Sequence, residues 1–257
     1  MAGPEQIHDL LGVEGLKIIQ RDDVLRFSLD SVLLADFANP TPRTRLIMDF
    51  GTGLAPIPLL LSMKTHAKII GIDIQEDLCL LARKSVMLNR LTDQIDIVRD
   101  DIRVVHSHYL PSSFDMITCN PPFFSLHATK TPSKKPAVRI AKLEETIDFL
   151  TLARQAARLL KTGGKFVFVH RAERLEDIMN CLRQEEFAIK RLRFVYSRPD
   201  EPALSMLVEA SAKGRPGSLK VLKPLVIQSD AGKFTQEALA IFRQSPEVSN
   251  GTNLELP

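Results

Sequence analysis

From Leu46 onward, short apolar segments alternate with segments whose apolar residues recur at helical spacing, and this alternation constrains the fold most strongly. Strands are predicted over residues 46–49, 68–73, 95–98, 114–119, 165–170, 192–196 and 205–210, with a further edge strand within 221–227. Helices are predicted over residues 27–37, 56–63, 76–89, 143–160, 174–186 and 235–243, with 162–164 capping the fourth. Such an order predicts an α/β fold with a doubly wound, mostly parallel sheet.

The length and composition suit one domain. The chain has 257 residues, of which 44% are hydrophobic and 25% are charged, as in ordinary globular proteins. We expect a single domain over residues 1–244, with 1–40 as an N-terminal helical or cap segment and 245–257 as a disordered tail. The longest apolar run, 54–61, is too short to cross a bilayer, and no signal peptide is evident, so we expect a cytoplasmic protein without a membrane partner.

The cysteines argue against a disulfide framework and against a metal site. Cys79, Cys119 and Cys181 are odd in number and widely spaced, which is typical of reduced, mostly buried thiols. We therefore expect no metal cofactor. No sequence feature indicates the oligomeric state.

Glycines and acids at the ends of the first two strands of this alternation indicate a nucleoside-binding site. Gly51 and Gly53 follow Asp49, and Asp73 ends the next strand about 20 residues later, where an acid can accept both hydroxyls of a ribose. A nicotinamide dinucleotide site would present the same acid, but its third glycine would stand where this chain has Pro56. A ligand with a ribose and no pyrophosphate, such as S-adenosylmethionine, therefore fits better.

The loop after the third strand supplies candidates for binding an adenine ring. Asp101 can accept a hydrogen bond from the ring's amino group, and Ile74 and Ile102 are placed to lie against its two faces. Alternatively, Asp101 is a solvated loop carboxylate or a helix N-cap, and Asp100 exchanges roles with it.

The most specific motif is Asn120-Pro121-Pro122-Phe123, directly after the fourth strand. The two prolines fix the backbone and leave carbonyl acceptors without their own N–H donors. The Asn120 side-chain oxygen and the Pro121 carbonyl can then accept from one amino group and stabilise the positive charge that develops during its methylation. Phe123 offers a face on which a base can stack. A strand-terminating turn is the alternative interpretation.

Taken together, these motifs resemble class I S-adenosylmethionine-dependent methyltransferases of the branch that methylates amino nitrogens. The subgroup that this chain resembles most is the bacterial tRNA(Val) adenine-N6 methyltransferases, because Phe-Ser-Leu-Asp-Ser-Val-Leu-Leu-Ala lies upstream of the glycine loop at residues 27–35. The resemblance runs from about residue 7 to residue 243 and implies a Rossmann-like, seven-stranded sheet.

The resemblance implies a role for each matching residue. Asp49, Gly51, Gly53, Asp73 and Asp101 would hold S-adenosylmethionine, with Asn120 at the border between the cofactor and the target amine. Phe27 and Ser28 would line the pocket. Ala55, followed by Pro56, replaces the third glycine of many family members, and Phe123 replaces the commoner tyrosine. Phenylalanine also occurs in relatives that methylate guanine amino groups in ribosomal RNA.

The resemblance implies an RNA substrate, most simply a tRNA, and basic residues are the candidates for contacting its phosphate backbone. One set follows the Asn-Pro-Pro-Phe motif, and a second set lies near the later strands. Their candidate members are Lys130, Lys134, Lys135, Arg139, Arg171 and Arg174, with Lys190, Arg191 and Arg193 nearby. A solvated linker is the other interpretation of the first set. The functional alternatives are a guanine-N2 rRNA methyltransferase, a protein-glutamine N5 methyltransferase, and a non-catalytic module that binds S-adenosylmethionine or RNA.

Overall fold

The computed structural model describes residues 3–11, 15–24, 28–121 and 148–242. Its strands are β1 (Glu5–Asp9), β2 (Lys17–Arg21), β3 (Leu46–Phe50), β4 (Lys68–Asp73), β5 (Ile95–Arg99), β6 (Phe114–Cys119), β7 (Leu160–Arg171), β8 (Phe187–Tyr196), β9 (Ala203–Ala212), β10 (Lys220–Val221) and β11 (Leu225–Val226). Its helices are α1 (Leu29–Phe37), α2 (Pro56–Ser62), α3 (Glu76–Leu88), α4 (Phe149–Leu159), α5 (Leu175–Gln184) and α6 (Gln236–Phe242).

Within these residues, one large sheet has the strand order β10-β8-β9-β7-β6-β3-β4-β5, and β11 also pairs with β8. Strands β3 to β7 are parallel, whereas β9 runs antiparallel to both β7 and β8. Within this sheet, the first strand in the sequence is the central strand β3. The chain then adds β4 and β5 on one side of β3 and returns to add β6 on the other side. The predicted doubly wound, mostly parallel sheet is therefore confirmed. The seven predicted strands form its body, and the two-residue strands β10 and β11 extend it to nine.

Alternate strand residues pack into two cores on opposite faces of the sheet, as the two-residue repeat of a strand requires. On β3, Ile47 joins the core beneath α1, α2, α3 and α6, while Met48 joins the core beneath α4 and α5. Val167 and Phe168 divide in the same way on β7. Because both faces are covered, the ends of the strands are where the sheet is open to a ligand.

The N-terminal segment differs from the expected helical cap, because β1 and β2 form an antiparallel hairpin ahead of α1. The edge of β2 is satisfied by side chains of α3 and of the residue after it. The Lys17 amide donates to Asn89 Oδ1 at 2.9 Å, and the Ile19 amide donates to Ser85 Oγ at 2.9 Å. All five β1 residues are exposed, so this strand carries no apolar pattern that predicts it.

Two boundaries around α4 were predicted wrongly. The helix begins at Phe149, not at residue 143, because Asp148 has an extended backbone and its carboxylate accepts from the Thr151 amide at 2.7 Å. Residues 143–147 lie outside the described residues. Residues 162–164 do not cap the helix but belong to β7, where Gly163 adopts a φ of 79° beside a register shift against β6. Glycine accommodates that backbone without strain.

Candidate active site

The carboxyl ends of four parallel strands bring the predicted site residues to one edge of the sheet. The last pair of residues joining β3 and β6 is Phe50 with Cys119, so the glycine loop and Asn120 leave neighbouring strands side by side. The loops after β4 and β5 are tied together, since the Asp100 amide donates to the Asp73 carbonyl at 3.0 Å. This edge lies at the topological switch point, where ligands bind in open α/β sheets.

The loop between β3 and α2 curls through three residues with left-handed backbone angles. Gly51, Gly53 and Ala55 have φ values of 65°, 55° and 63°. The first two conformations are readily adopted by glycine, whereas Ala55 adopts one that L side chains disfavour. The methyltransferases that this chain resembles often have a third glycine at the position of Ala55, and the left-handed backbone at this position explains that preference. The Ala55 side chain is fully buried, and α2 begins directly after this residue at Pro56.

Asp73 holds the glycine loop to the end of β4 through both carboxylate oxygens. Oδ2 accepts from the Gly53 amide at 2.8 Å, and Oδ1 accepts from the Gln75 amide at 3.0 Å. Burial raises the pKa of this carboxyl, and the backbone amides oppose that rise. The Ile74 amide is a third donor to this carboxylate. Because a carboxylate has about four acceptor sites, acceptor capacity remains for a ligand hydroxyl.

Gly71, two residues before Asp73, allows the loop to approach the sheet. A Cβ atom at this position would lie 2.7 Å from Thr52 Oγ1 and 2.8 Å from Ile97 Cδ1. Both distances are too short for non-bonded contact, so a side chain here must displace the side chains of Ile97 and of Thr52, which belongs to the glycine loop.

Gly71→Ala is therefore expected to lower the free energy of unfolding by about 1–3 kcal/mol through overpacking and to weaken cofactor binding. Urea denaturation and calorimetric titration with S-adenosylmethionine measure the two effects. Combining it with Thr52→Ala, which removes the atom at 2.7 Å, should recover part of both losses. Equal losses with and without Thr52→Ala would contradict the steric explanation.

Asp49 lies beneath the loop rather than on its surface. Its side chain is fully buried, and Oδ1 accepts from the Thr118 hydroxyl at 2.6 Å. Burial raises the pKa of Asp49 to about 7, the hydroxyl of Thr118 opposes this rise, and the charge of Asp73 adds to it. Within the described residues, Asp49 Oδ2 and Thr52 Oγ1 are buried without a hydrogen-bond partner. The floor of the site thus contains polar atoms with unused hydrogen-bonding capacity.

The raised pKa of Asp49 predicts a specific dependence of stability on pH. The folded state holds this proton to higher pH than the unfolded chain does, so the carboxyl destabilises the fold progressively as pH rises between the two pKa values. Asp49→Asn preserves the acceptor for Thr118 and removes the titration. We expect its stability advantage over wild type to grow by on the order of 2–3 kcal/mol from about pH 5 to about pH 8.

Urea denaturation of both proteins across that range measures the advantage. The exposed Asp96 on β5 provides the control, because Asp96→Asn removes a carboxyl at the protein surface. A pH-independent difference between Asp49→Asn and wild type would show that Asp49 does not titrate in this window.

The loop after β5 presents two acids with different surroundings. Asp101 is paired with Arg103, whose Nε lies 2.9 Å from Oδ2, and this hydrogen bond lowers the pKa of Asp101. Asp100 is more buried, and its carboxylate contacts His108 Nδ1 at 2.9 Å and accepts from the Asp101 amide at 2.7 Å. Asp101 must therefore exchange Arg103 for an adenine amine if it contacts the ring.

The two isoleucines predicted to lie against the adenine ring differ in exposure. Ile74 follows β4 and is 42% exposed, so its side chain is available to a ligand. Ile102 is partly buried against the core beneath α4. Their roles in binding adenine remain predictions.

Asn120 contacts the start of α1, which is far from it in sequence. Its Nδ2 donates to Ser31 Oγ at 3.0 Å and to Ser28 Oγ at 3.2 Å. Ser28 occupies the N-cap position of α1, yet its side chain makes no capping hydrogen bond. Sequence reasoning missed Ser31, because nothing in the spacing indicates that this helical serine faces the end of β6. Phe27, Pro122 and Phe123 lie outside the described residues.

Next to this contact, α1 packs a buried acid against the ends of β7 and β9. Asp30 is 2% exposed, and burial raises its pKa to about 6 against the opposing charge of Arg171 and the hydroxyl of Ser205. His170 packs edge-on against Phe149, with 5.7 Å between ring centroids, and burial lowers its pKa to about 4. His170 is therefore neutral near pH 7 and serves in packing.

The described basic residues are only partly available to a polyanion. Arg171 is half-buried at the end of β7, and Arg174 donates to Asp177 at 2.9 Å. Three further basic residues make structural contacts: Lys190 with the Arg215 carbonyl, Arg191 with Glu209, and Arg193 with Glu237. Lys130, Lys134, Lys135 and Arg139 lie outside the described residues.

The features of this edge fit a nucleoside cofactor such as S-adenosylmethionine. The tightly curled loop exposes backbone to a ligand, Asp73 retains acceptor capacity, and exposed Ile74 offers an apolar contact. In the described part of the chain, no group of three or more His, Cys, Asp or Glu side chains is arranged to hold a metal ion. None of the helices described there has the length and apolarity needed to span a bilayer.

Comparison with known proteins gives a consistent result. A family model described as RNA methyltransferase matches residues 17–180. The chain is 28% identical over 226 residues to a tRNA1(Val) (adenine(37)-N6)-methyltransferase of Parabacteroides distasonis, covering 85% of this chain and 90% of the relative. It is also 28% identical over 221 residues to the protein of the same name from Phocaeicola vulgatus, covering 86% and 90%.

The fold is shared with a solved structure from Agrobacterium tumefaciens that is described as a predicted O-methyltransferase. The TM-score is 0.63 at 20% sequence identity, and the alignment covers 84% of this chain and 97% of that one. At this identity the likeness concerns the fold alone.

Proposed function

Because this chain belongs to the RNA methyltransferase family, we propose that it transfers a methyl group from S-adenosylmethionine to the N6 amino group of an adenine in tRNA. The observation that carries the proposal is the position of Asn120. It leaves β6 beside the glycine loop, and its Nδ2 is held by two serines. Its carbonyl oxygen is thereby available as an acceptor next to the cofactor site.

The residues around the glycine loop would bind and orient the cofactor. S-adenosylmethionine, when bound, supplies an electrophilic methyl group. Asp73 would accept hydrogen bonds from the ribose hydroxyls, and Asp101 or Asp100 would accept one from the adenine amine. Gly51 and Gly53 would allow the backbone to approach the ligand, while buried Asp49 would support the loop from beneath.

Asn120 and Pro121 would act on the target amine. The N6 lone pair of adenine is delocalised into the ring and is a poor nucleophile. Acceptance of its two N–H donors by Asn120 Oδ1 and the Pro121 carbonyl would favour a tetrahedral nitrogen and stabilise the positive charge that forms as the methyl group is transferred. The proton leaves after transfer, so this step requires no strong general base. Phe123 would stack on the target base.

The substrate assignment follows the names of the relatives, which specify adenine 37 of tRNA1(Val). If the substrate is a tRNA, the protein would act in the cytoplasm. Arg171 and Arg174, together with Lys130, Lys134, Lys135 and Arg139, would contact the RNA backbone.

The proposal is tested with two transcripts of tRNA(Val) that differ only in having adenine or guanine at position 37. We expect N6-methyladenosine in the first transcript and no methylation of the second. Equal methylation of both transcripts would place the target elsewhere in the RNA. Methyl transfer to neither transcript would contradict the proposed substrate.

A further inference from the structure

We propose that Gln155 is a positioning residue that holds the turn after β5, so that the Asp101 carboxylate faces the adenine amine of the bound cofactor. This inference rests on the proposed function of Asp101 and deepens it. Gln155 lies on α4 and is only 4% exposed. Its side-chain amide makes hydrogen bonds to two residues of the turn, which precede it by about 50 positions in the sequence.

The partners of the Gln155 amide select one orientation of that group. Nε2 donates to the Arg103 carbonyl oxygen at 2.8 Å, and Oε1 lies 2.9 Å from His106 Nδ1. A backbone carbonyl can only accept, so the NH2 group must face Arg103 and the amide oxygen must face His106. Because that oxygen only accepts, His106 in turn carries a proton on Nδ1 in order to donate to it.

The backbone of Arg103 connects Gln155 to Asp101. The Arg103 amide donates to Asp101 Oδ1 at 2.9 Å, so the amide and the carbonyl of Arg103 are both hydrogen-bonded to side chains. The Val104 amide donates to the Asp101 carbonyl at 3.0 Å and closes the turn. An adenine amine that displaces the Arg103 guanidinium from Asp101 does not compete for these backbone groups. The backbone contacts can therefore hold the carboxylate while the cofactor binds.

The turn packs on α4 between the two residues that Gln155 contacts. Val105 is fully buried in the core beneath α4, and Gln155 contacts the residues on either side of it, Arg103 and His106. A part-buried carbonyl without a partner is costly. Without the Gln155 amide, we expect the turn to shift toward solvent and to move Asp101 with it.

The inference is tested with Gln155→Met, which keeps the length of the side chain and removes both hydrogen bonds. Calorimetric titration without RNA compares S-adenosylhomocysteine with its hypoxanthine analogue, in which a carbonyl replaces the adenine amine. We expect wild type to prefer the adenine ligand by about 10- to 150-fold, the effect of one hydrogen bond to a charged acceptor. In Gln155→Met this preference should fall by about fivefold or more, because a displaced acceptor makes a weaker hydrogen bond.

Three comparisons separate positioning from a structural role. Gln184→Met, at an exposed glutamine that ends α5, is the matched control and should keep the wild-type preference. A purely structural role of Gln155 would lower the Tm and weaken both ligands equally, which leaves their ratio unchanged. In an Asp101→Ala background, Gln155→Met should lower the preference no further, because the residue that it positions is absent. His106→Asn, which retains an N–H donor for Gln155, should stay closer to wild type than His106→Leu.

The tautomer of His106 provides a spectroscopic test of the same geometry. At a pH where this ring is neutral, ¹⁵N spectra of the wild-type protein should place its proton on Nδ1, since Gln155 Oε1 accepts from that atom. In Gln155→Met the acceptor is lost, and the proton should be shared with Nε2. A wild-type ring with its proton on Nε2 would contradict the orientation assigned to the Gln155 amide.

An unchanged preference for the adenine ligand in Gln155→Met would overturn the inference. So would a further loss of preference when Gln155→Met is added to Asp101→Ala. These measurements use no RNA, so failure of the proposed tRNA substrate is a separate result. Failure of the proposed adenine contact is also distinguishable, because Asp101→Ala alone would then keep the wild-type preference, and the inference would be overturned with it.

Discussion

Replacing Asn120 with alanine should lower the rate of methyl transfer by about 10²- to 10³-fold, comparable to the loss of one transition-state hydrogen bond in other enzymes. The affinity for S-adenosylmethionine should change little, because the glycine loop and Asp73 are held together independently of Asn120. Single-turnover assays with labelled cofactor measure the first effect, and calorimetric titration measures the second.

The matched control for Asn120 is Asn180→Ala, since Asn180 is exposed on α5 and should retain wild-type activity. Wild-type rates in Asn120→Ala would contradict the proposed mechanism. Equal losses of rate and of cofactor affinity would mean that Asn120 belongs to the cofactor pocket rather than to the target site.

Replacing Asp73 with alanine should have the second large effect, a rise of about 100-fold in the Kd for S-adenosylmethionine. Loss of one hydrogen bond between the carboxylate and a ribose hydroxyl costs about 1.5–3 kcal/mol, which corresponds to an increase of about 10- to 150-fold in Kd. The substitution also removes the acceptors for the Gly53 and Gln75 amides, which loosens the loop that the cofactor must contact. Calorimetric titration of the variant provides the measurement.

Asp96→Ala is the control for this variant, because Asp96 is an exposed aspartate on the neighbouring strand β5. It should leave the Kd unchanged. If Asp73→Ala also bound S-adenosylmethionine with wild-type affinity, the assignment of the cofactor site to the carboxyl ends of β3 and β4 would be wrong.

Much of this edge could be predicted because its residues are fixed by local requirements. Gly51 and Gly53 adopt left-handed backbone angles that the motif implies, and Asp73 ends the apolar strand β4, which pairs with β3. The strand–helix alternation similarly predicts the sheet and the switch point beside Asn120. These features depend on residues that are close to one another in the sequence, so they can be predicted from the sequence alone.

What could not be predicted depends on contacts between distant segments. Ser31 looks like an ordinary helical serine until α1 packs against the end of β6, 89 residues later. The hairpin of β1 and β2 depends on Ser85 and Asn89, which complete its backbone hydrogen bonding. The roles of Asp100 and Asp101 depend on whether His108 and Arg103 remain paired with them. The spacing of apolar residues along the sequence does not indicate which distant side chains will contact one another.

The most direct test of the central claim is a methyl-transfer assay with labelled S-adenosylmethionine and separate fractions of tRNA, rRNA and protein, followed by mass spectrometry of the labelled nucleosides. The account predicts N6-methyladenosine in the tRNA fraction, formed by the wild-type protein and lost in Asn120→Ala. N2-methylguanosine in the rRNA fraction, label in protein, or no transfer despite cofactor binding would contradict the claim that the target is an adenine of tRNA.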